Sequence, residues 1–235
     1  MPFSGFPADT VAFLGDLRAN NDRDWFKANR SRYEAAVLEP AKEFIEALAG
    51  RFAVDGYKGE PKVDRSIRRL NRDTRFHAGK GPFKDHLDLM LWMGDYDRSA
   101  ARPVLYLRIG VDEWGYGSGM HAFDKDALAR YRTAVAGGRG ETLADIVAAL
   151  RSAGQKVEGE EYKKVPAGFD PDHPRAALLR HKSLWAHVTA PVPRELVTPR
   201  FVDLVEKGLR AGLPLNAWLD SNVATDAAAR ARTHT

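Results

Sequence analysis

The stretch HLDLMLWMG, residues 86–94, and the stretch PVLYLRIGV, residues 103–111, interrupt the helical spacing of apolar residues along this chain. Both are short, apolar and bounded by turn residues, which is typical of β-strands. In the second, Leu105, Leu107 and Ile109 occupy alternate positions, which predicts that one face is better buried than the other. The connection between the two stretches is polar and of loop length, so we expect an antiparallel pair.

On both sides of these strands the apolar spacing predicts helices. Asp9 is expected to cap the first helix, a second begins near Asp22, and Pro40 should kink or restart it because proline lacks an amide donor. After the strands, Asp124 is expected to cap a helix and Thr198 to start another. Strands and helices do not alternate regularly, which favours an α+β fold with a mostly antiparallel sheet in the middle of the chain.

The length and composition predict one domain. The chain has 235 residues, and it contains no internal repeat or linker, so we predict a single α+β domain over residues 1–223 and a flexible tail over 224–235. Cysteine is absent, which excludes disulfides, thiol catalysis and cysteine-ligated metals. The N-terminus lacks the pattern of a signal peptide and no apolar run is long enough to span a membrane, so we expect a cytoplasmic protein without a membrane partner.

Positive charge is concentrated in one segment. The whole chain has a formal net charge of +4. Residues 62–84 alone contain eight basic side chains and two acidic ones, which leaves +6. The remainder is therefore slightly acidic, and this segment is a local electrostatic feature.

The basic segment carries a resemblance to a known family. RLNRDTRFHAGKGPF, residues 69–83, resembles the signature of a bacterial family catalogued as domain of unknown function 2461. NNDRDWFKANRSRY (20–33) and GFDPDHPRAALLRHKSL (168–184) are similar to other segments of that family. The positions that match the signature are Arg69, Arg72, Asp73, Arg75, Phe76 and Lys80. The resemblance covers nearly the whole chain and implies a single-domain protein, but it implies no activity and no cofactor.

Two positions depart from the pattern of the family. Gly79 stands where the family usually has Asp or Asn, and these three residue types share a tolerance of left-handed backbone. That position therefore favours a turn rather than a metal-ligating carboxylate. Phe83 stands where the family has tyrosine, and its ring without a hydroxyl favours packing over acid–base chemistry.

The basic segment is the candidate binding site for an anion. If residues 65–76 are helical, their arginines share one broad face; a short strand with a turn is the alternative. The guanidinium fork matches phosphate or carboxylate, and an aspartate among the arginines would orient one of them. The opposing interpretation is a structural ion-pair network that ties the N-terminal helices to the sheet. The candidate anion-binding residues are Arg69, Arg72, Asp73, Arg75, Lys80 and Lys84.

Other candidates have simpler explanations. Asn21, Arg23 and Trp25 would form a second wall of the site, although helix capping and core packing also account for them. Histidines such as His77 and His86 have no metal-binding spacing, so we predict no metal site.

Three functions remain compatible with the sequence. The first is binding of a small molecule that carries phosphate or carboxylate, with or without enzymatic turnover. The second is nucleic-acid binding, in which Trp25, Trp114 or Tyr116 would stack on bases; the modest net charge argues against it. The third is an interaction protein whose arginine motif is structural. The sequence names no reaction, cofactor or oligomeric state.

Overall fold

The computed structural model describes residues 3–73, 81–94 and 102–224 of the chain. A π-helical turn occupies Glu34–Leu38, and 3-10 turns occupy Ala53–Asp55 and Arg194–Val197. The strands are β1 (Tyr57–Lys58), β2 (Leu87–Met93), β3 (Val104–Ile109), β4 (Glu113–Met120), β5 (Lys156–Glu160) and β6 (His181–Pro191). The α-helices are α1 (Asp9–Ala19), α2 (Arg23–Ala28), α3 (Arg30–Tyr33), α4 (Glu39–Phe52), α5 (Lys125–Ala136), α6 (Arg139–Ser152), α7 (Ala176–Leu179), α8 (Phe201–Arg210) and α9 (Leu213–Asn222).

The six strands form one antiparallel sheet in the order β1-β2-β3-β4-β6-β5. Strands β2 and β3 coincide with the two apolar stretches, and helices precede and follow the sheet along the chain. The predicted α+β class is therefore confirmed. The sequence does not predict β1 or β5, because β1 has two residues and β5 has the polar sequence KVEGE.

Contacts divide the chain into two compact units. Unit 1 comprises Met1–Gly94, Tyr106–Tyr116 and Thr189–Gly208, and unit 2 comprises Asp95–Leu105, Gly117–Val188 and Leu209–Thr235. Several of these boundaries fall inside β3, β4 and β6, so no linker composition marks them in the sequence. The tail predicted at 224–235 lies outside the described residues from position 225 onward.

Unit 1 has an aromatic core. The ring of Phe44 lies 5.1 Å from that of Phe3 and 5.6 Å from that of Phe6, measured between centroids. Phe201 of α8 contacts both Phe44 and Trp114, each at 5.4 Å. Rings at these separations in tilted or edge-on contact stabilise a core beyond the area that they bury.

A buried hydroxyl stabilises the helical run around Pro40. Pro40 lies in the first turn of α4 and has no N–H to donate to the carbonyl of Ala36, four residues earlier. The fully buried Thr10 donates its hydroxyl to that same carbonyl oxygen at 2.5 Å. The predicted interruption at Pro40 is confirmed as the π-helical turn that precedes α4.

Three helix starts that were predicted at aspartates differ in their outcome. Asp22 accepts a hydrogen bond from the backbone N–H of Trp25 at 2.8 Å, and Asp124 caps α5 in the same way. Asp9 does not cap α1; it lies inside the first turn and binds Arg32 through both carboxylate oxygens, at 2.6 and 2.9 Å. The prediction for Asp9 was wrong because an arginine from α3 competes for its carboxylate.

Unit 2 has its own core, formed by helices packed on strand residues. The buried Tyr131 of α5 donates its hydroxyl to the carbonyl of Leu178 at 3.0 Å. Arg175 donates to the last carbonyls of α5, those of Val135, Ala136 and Gly137, at 2.7 to 3.3 Å. A cation at a helix C-terminus satisfies carbonyls that have no partner within the helix. Among the described helices, none has the length and apolar character needed to cross a membrane.

Candidate functional site

The basic segment is an irregular strand-like stretch over its described part, not a helix. Ile67 forms an antiparallel bridge with Leu89 of β2, and Asn71 forms one with Phe83. The backbone N–H of Arg68 donates to the carbonyl of Asp88 at 2.9 Å. Of the two alternatives for this segment, the helical arginine face is wrong for residues 65–73 and the short strand with a turn agrees with the structure, because their backbone groups pair with β2 and with residues 82–84.

Two of its arginines make surface ion pairs. Arg69 pairs with Asp64, and its side chain is 63% exposed. Arg65 pairs with Glu60 and is also exposed. Exposed pairs of this kind contribute about 0–1 kcal/mol to stability. For Arg69, a predicted anion-binding residue, the structure thus shows a carboxylate partner already in place.

Arg72 differs from these two. Its backbone N–H donates to the carbonyl of Pro82 at 2.7 Å, and its side chain is half-buried. Within residues 3–73, 81–94 and 102–224, no hydrogen bond or ion pair engages its guanidinium. Asp73 is exposed, and Arg75 and Lys80 lie outside the described residues, as does Gly79.

Asn21 holds the loop that follows the basic segment. Its amide nitrogen donates to the carbonyl of Phe83 at 3.0 Å, and its amide oxygen accepts from the N–H of Phe83 at 2.9 Å. The Phe83 ring is buried and stacks on Phe26 at 4.3 Å, as expected for a packing role. At Gly81 a Cβ atom would come within 2.8 Å of the Asn21 side chain, so glycine permits this approach.

Of the other residues of the predicted second wall, Trp25 packs in unit 1 and Arg23 is exposed. The ring of Trp25 lies 5.7 Å from that of Phe13 in the core of unit 1. Arg23 is exposed in the first turn of α2. Trp114 is buried against Phe201, and Tyr116 contacts the Trp114 ring at 5.4 Å. The rings that the nucleic-acid hypothesis requires for stacking are therefore engaged in packing.

A buried carboxylate on β2 contacts three basic side chains. Asp88 accepts a hydrogen bond from Nε of Arg108 on β3 at 2.7 Å. Its other carboxylate oxygen lies 3.3 Å from Nζ of Lys84 and 3.5 Å from Nε2 of His86. Nδ1 of His86 faces the carboxylate of Asp85 at 3.2 Å. We call these five residues the Asp88 cluster.

Electrostatics keep the centre of this cluster ionised. Burial disfavours the charged form of Asp88, but hydrogen bonds from His86 and Arg108 outweigh it and hold the pKa of this carboxyl well below its usual range. For Arg108, burial lowers the pKa, and the contact with Asp88 reverses this effect and raises it. The ion pair between these strands is therefore maintained throughout the neutral range.

Arg108 uses only part of its hydrogen-bonding capacity within the described part of the protein. Its Nε binds Asp88, whereas its two Nη groups make no hydrogen bond to any residue of the described part of the chain. The side chain is 42% exposed, and its guanidinium carbon lies 5.9 Å from the centre of the Tyr106 ring. A guanidinium oriented by a carboxylate at Nε can present its Nη end to an oxyanion.

The comparisons with known proteins identify the family. A family profile described as "Conserved hypothetical protein (DUF2461)" matches residues 9–218. The chain belongs to the DUF2461 family. The family predicted from the sequence is thereby confirmed, and the matched range includes the Asp88 cluster. No curated protein and no solved structure matches the chain.

Sequence reasoning found Lys84 but missed the rest of the cluster. Asp88 and Arg108 are ionisable residues inside two apolar strand stretches, and such residues need partners when they are buried. That contrast was visible in the sequence, although the pairing of the two strands was needed to show that Asp88 and Arg108 meet. Among the described residues, no group of three or more histidines and carboxylates has a geometry suited to a metal ion, and His77 lies outside them.

Proposed function

We propose that this DUF2461 protein binds a small molecule that carries a phosphate or carboxylate group at the Asp88 cluster in unit 1. The observation that carries the proposal is the way in which the hydrogen-bond donors of Arg108 are used. Nε binds a buried carboxylate, and the exposed Nη end has no described partner. The ammonium group of Lys84 donates to the carboxylate of Asp88 as well. This bond uses one of its three N–H donors.

The charges near the cluster support the same proposal. Lys84 and Arg108 share the single charge of Asp88, and Asp85 faces His86. Arg72, whose guanidinium has no partner within residues 3–73, 81–94 and 102–224, follows Leu70 by two residues, and the carbonyl of Leu70 accepts from the N–H of Lys84. An anionic ligand would supply acceptors and a negative charge for these cationic donors. Each hydrogen bond to a charged group contributes about 1.5–3 kcal/mol.

The experiment is a titration with inorganic phosphate and with malonate at constant ionic strength. Isothermal calorimetry and thermal unfolding would be followed for the wild type and for Arg108→Gln, Lys84→Gln and Arg72→Gln. We expect saturable binding in the wild type and at least about tenfold weaker binding in Arg108→Gln, which corresponds to about 1.4 kcal/mol. Arg30→Gln, which removes an exposed pair with Glu34, is the matched control and should bind as the wild type does.

Two results would overturn the proposal: no saturable binding of either anion by the folded wild type, or equal affinity in Arg108→Gln. The same protein should be titrated with single- and double-stranded nucleic acid at low salt. Binding there that depends on Arg108 and exceeds the affinity for phosphate would favour the nucleic-acid function instead. We place the protein in the cytoplasm as part of this proposal, on the basis of its cysteine-free sequence.

A further inference from the structure

Two donors of a half-buried guanidinium in unit 2 lack acceptors. In Arg132 on α5, both Nε and Nη2 are shielded from solvent and have no hydrogen-bond partner among the described residues. These two nitrogens lie on the same edge of the planar group, so their N–H bonds point in nearly parallel directions. Buried donors of charged groups are very rarely left unsatisfied in folded proteins, so this edge requires an explanation.

Five other arginines of unit 2 donate to a carbonyl, an amide oxygen or a carboxylate of the protein. They are Arg102 with Asp220, Arg130 with Ala224, Arg139 with Asn222, Arg175 with the end of α5, and Arg180 with Glu160. Nε of Arg180 is also buried without a hydrogen-bond partner among the described residues, but Nη2 of the same side chain binds Glu160. In Arg132 both donors of one edge lack an acceptor in the described part of the chain.

A second cation and an aromatic ring complete the surroundings of Arg132. Its guanidinium carbon lies 5.0 Å from the centre of the Tyr162 ring, and Nζ of Lys182 lies 4.8 Å from the centre of the same ring. A ring at this distance attracts the guanidinium electrostatically and supplies no acceptor to its edge. Nζ of Lys182 lies 3.4 Å from a carboxylate oxygen of Glu161. Two cations therefore contact one ring, and of the two only Lys182 has a carboxylate partner among the described residues.

We propose that Arg132, Tyr162 and Lys182 form a second oxyanion site, separate from the Asp88 cluster. The Nε and Nη2 donors of Arg132 bind two oxygens of one phosphate or carboxylate group, which is the fork geometry that guanidinium offers. Lys182 adds a point charge from β6, and Tyr162 holds the fork in position. Because the two donors of Arg132 are shielded from solvent, binding requires the side chains of Tyr162 and Lys182 to move aside; Lys182 is 44% exposed and Tyr162 is half-buried.

The test uses inorganic phosphate and acetate as probes of the full-length protein, at constant ionic strength with chloride. Arg132→Lys keeps the positive charge and removes the two-donor edge, so we expect its affinity for the preferred probe to fall at least tenfold. Arg130→Gln, two residues earlier on α5, is the matched control and should leave the affinity unchanged. Preference for phosphate or for acetate identifies which oxyanion the site takes.

If Arg132→Lys folds poorly, a measurement on the wild-type protein tests the proposal instead. With ¹⁵N-labelled arginine, the Nε–H resonance of Arg132 should shift on addition of the bound probe and saturate with the calorimetric affinity. An unchanged resonance, an affinity of Arg132→Lys equal to that of the wild type, or an edge satisfied by ordered water in a phosphate-grown crystal would each overturn it.

The variants distinguish the two proposed sites experimentally. If both proposals hold for phosphate, the wild type binds two equivalents and Arg108→Gln retains the one that depends on Arg132. If only the Asp88 cluster fails, the wild type binds one equivalent that Arg132→Lys weakens and Arg108→Gln leaves intact. If only the Arg132 site fails, the single equivalent depends on Arg108 instead.

Discussion

The side-chain amide of Asn21 pairs with the backbone of Phe83 as a neighbouring strand would, donating to its carbonyl at 3.0 Å and accepting from its N–H at 2.9 Å. Phe83 is bridged on its other side to Asn71, so the loop after the basic segment is held between the start of α2 and that segment. Arg72 and Lys84 flank these pairings directly. The position of two proposed anion-binding residues thus depends on an asparagine that contacts neither of their side chains.

Replacing Asn21 should loosen this loop. Asn21→Asp keeps the size and the acceptor but cannot donate to the Phe83 carbonyl, so we expect a loss of about 1–3 kcal/mol in the free energy of unfolding. Urea denaturation measures it. Asn20→Asp is the control, since the side chain of Asn20 is exposed and donates to the carbonyl of Asp16 in the same helix. An equal effect of the two substitutions would contradict the role given to Asn21.

The hydroxyl of Thr10 should matter because of Pro40. Thr10→Val leaves the buried carbonyl of Ala36 without this donor and should cost about 1–3 kcal/mol of unfolding free energy, whereas Thr10→Ser should cost much less. Chemical denaturation again provides the measurement.

A double-mutant cycle tests the cause. Pro40→Ala restores an N–H that can reach the Ala36 carbonyl, so Thr10→Val should cost less in that background than in the wild type. Additive effects of the two substitutions would show that the hydroxyl and the proline are unrelated.

The sequence was sufficient for features that are local in the chain. Asp22 and Asp124 cap helices because the side chain and the amide that it binds are two or three residues apart. The apolar stretches of β2 and β3 predict strands for the same reason. Asp9 could not be predicted in this way, because Arg32 reaches it across 23 positions.

The candidate site shows the same limit. The density of arginines suggested a helical face, but pairing with β2 and with residues 82–84 sets the backbone and directs Arg69 toward Asp64. The contact between Asp88 and Arg108 depends on strand pairing, which the periodicity of either strand alone does not specify. The residue types of the segment therefore did not specify its backbone geometry.

Arg175 should stabilise the end of α5. Arg175→Gln removes a cation that donates to three terminal carbonyls, and we expect a loss of about 1–2 kcal/mol together with faster hydrogen exchange in the last turn of α5. Hydrogen exchange followed by mass spectrometry resolves the affected segment. Arg151→Gln, at the end of α6, changes the same charge at an exposed position and should leave α5 exchange unaltered.

The ionised state of Asp88 should make stability depend on acidic pH. The folded pKa of Asp88 is depressed below the ordinary value of 3.8, so its contribution is fully present above that value and is lost as the pH falls further below it. We expect the unfolding free energy of the wild type to decline below about pH 4. Asp88→Asn should be less stable at pH 7, because Lys84 and Arg108 lose their shared anion, and should decline less steeply in acid.

Denaturant unfolding at pH 7, 5 and 3 distinguishes this from a general acid effect. Asp112→Asn, which removes a partner of Arg18 that is 74% exposed, should follow the wild-type curve closely. Parallel pH profiles for Asp88→Asn and the wild type would show that Asp88 is not ionised by its neighbours in the folded protein. A flatter profile in Asp88→Asn alone would instead establish the charge on which the proposed orientation of Arg108 depends.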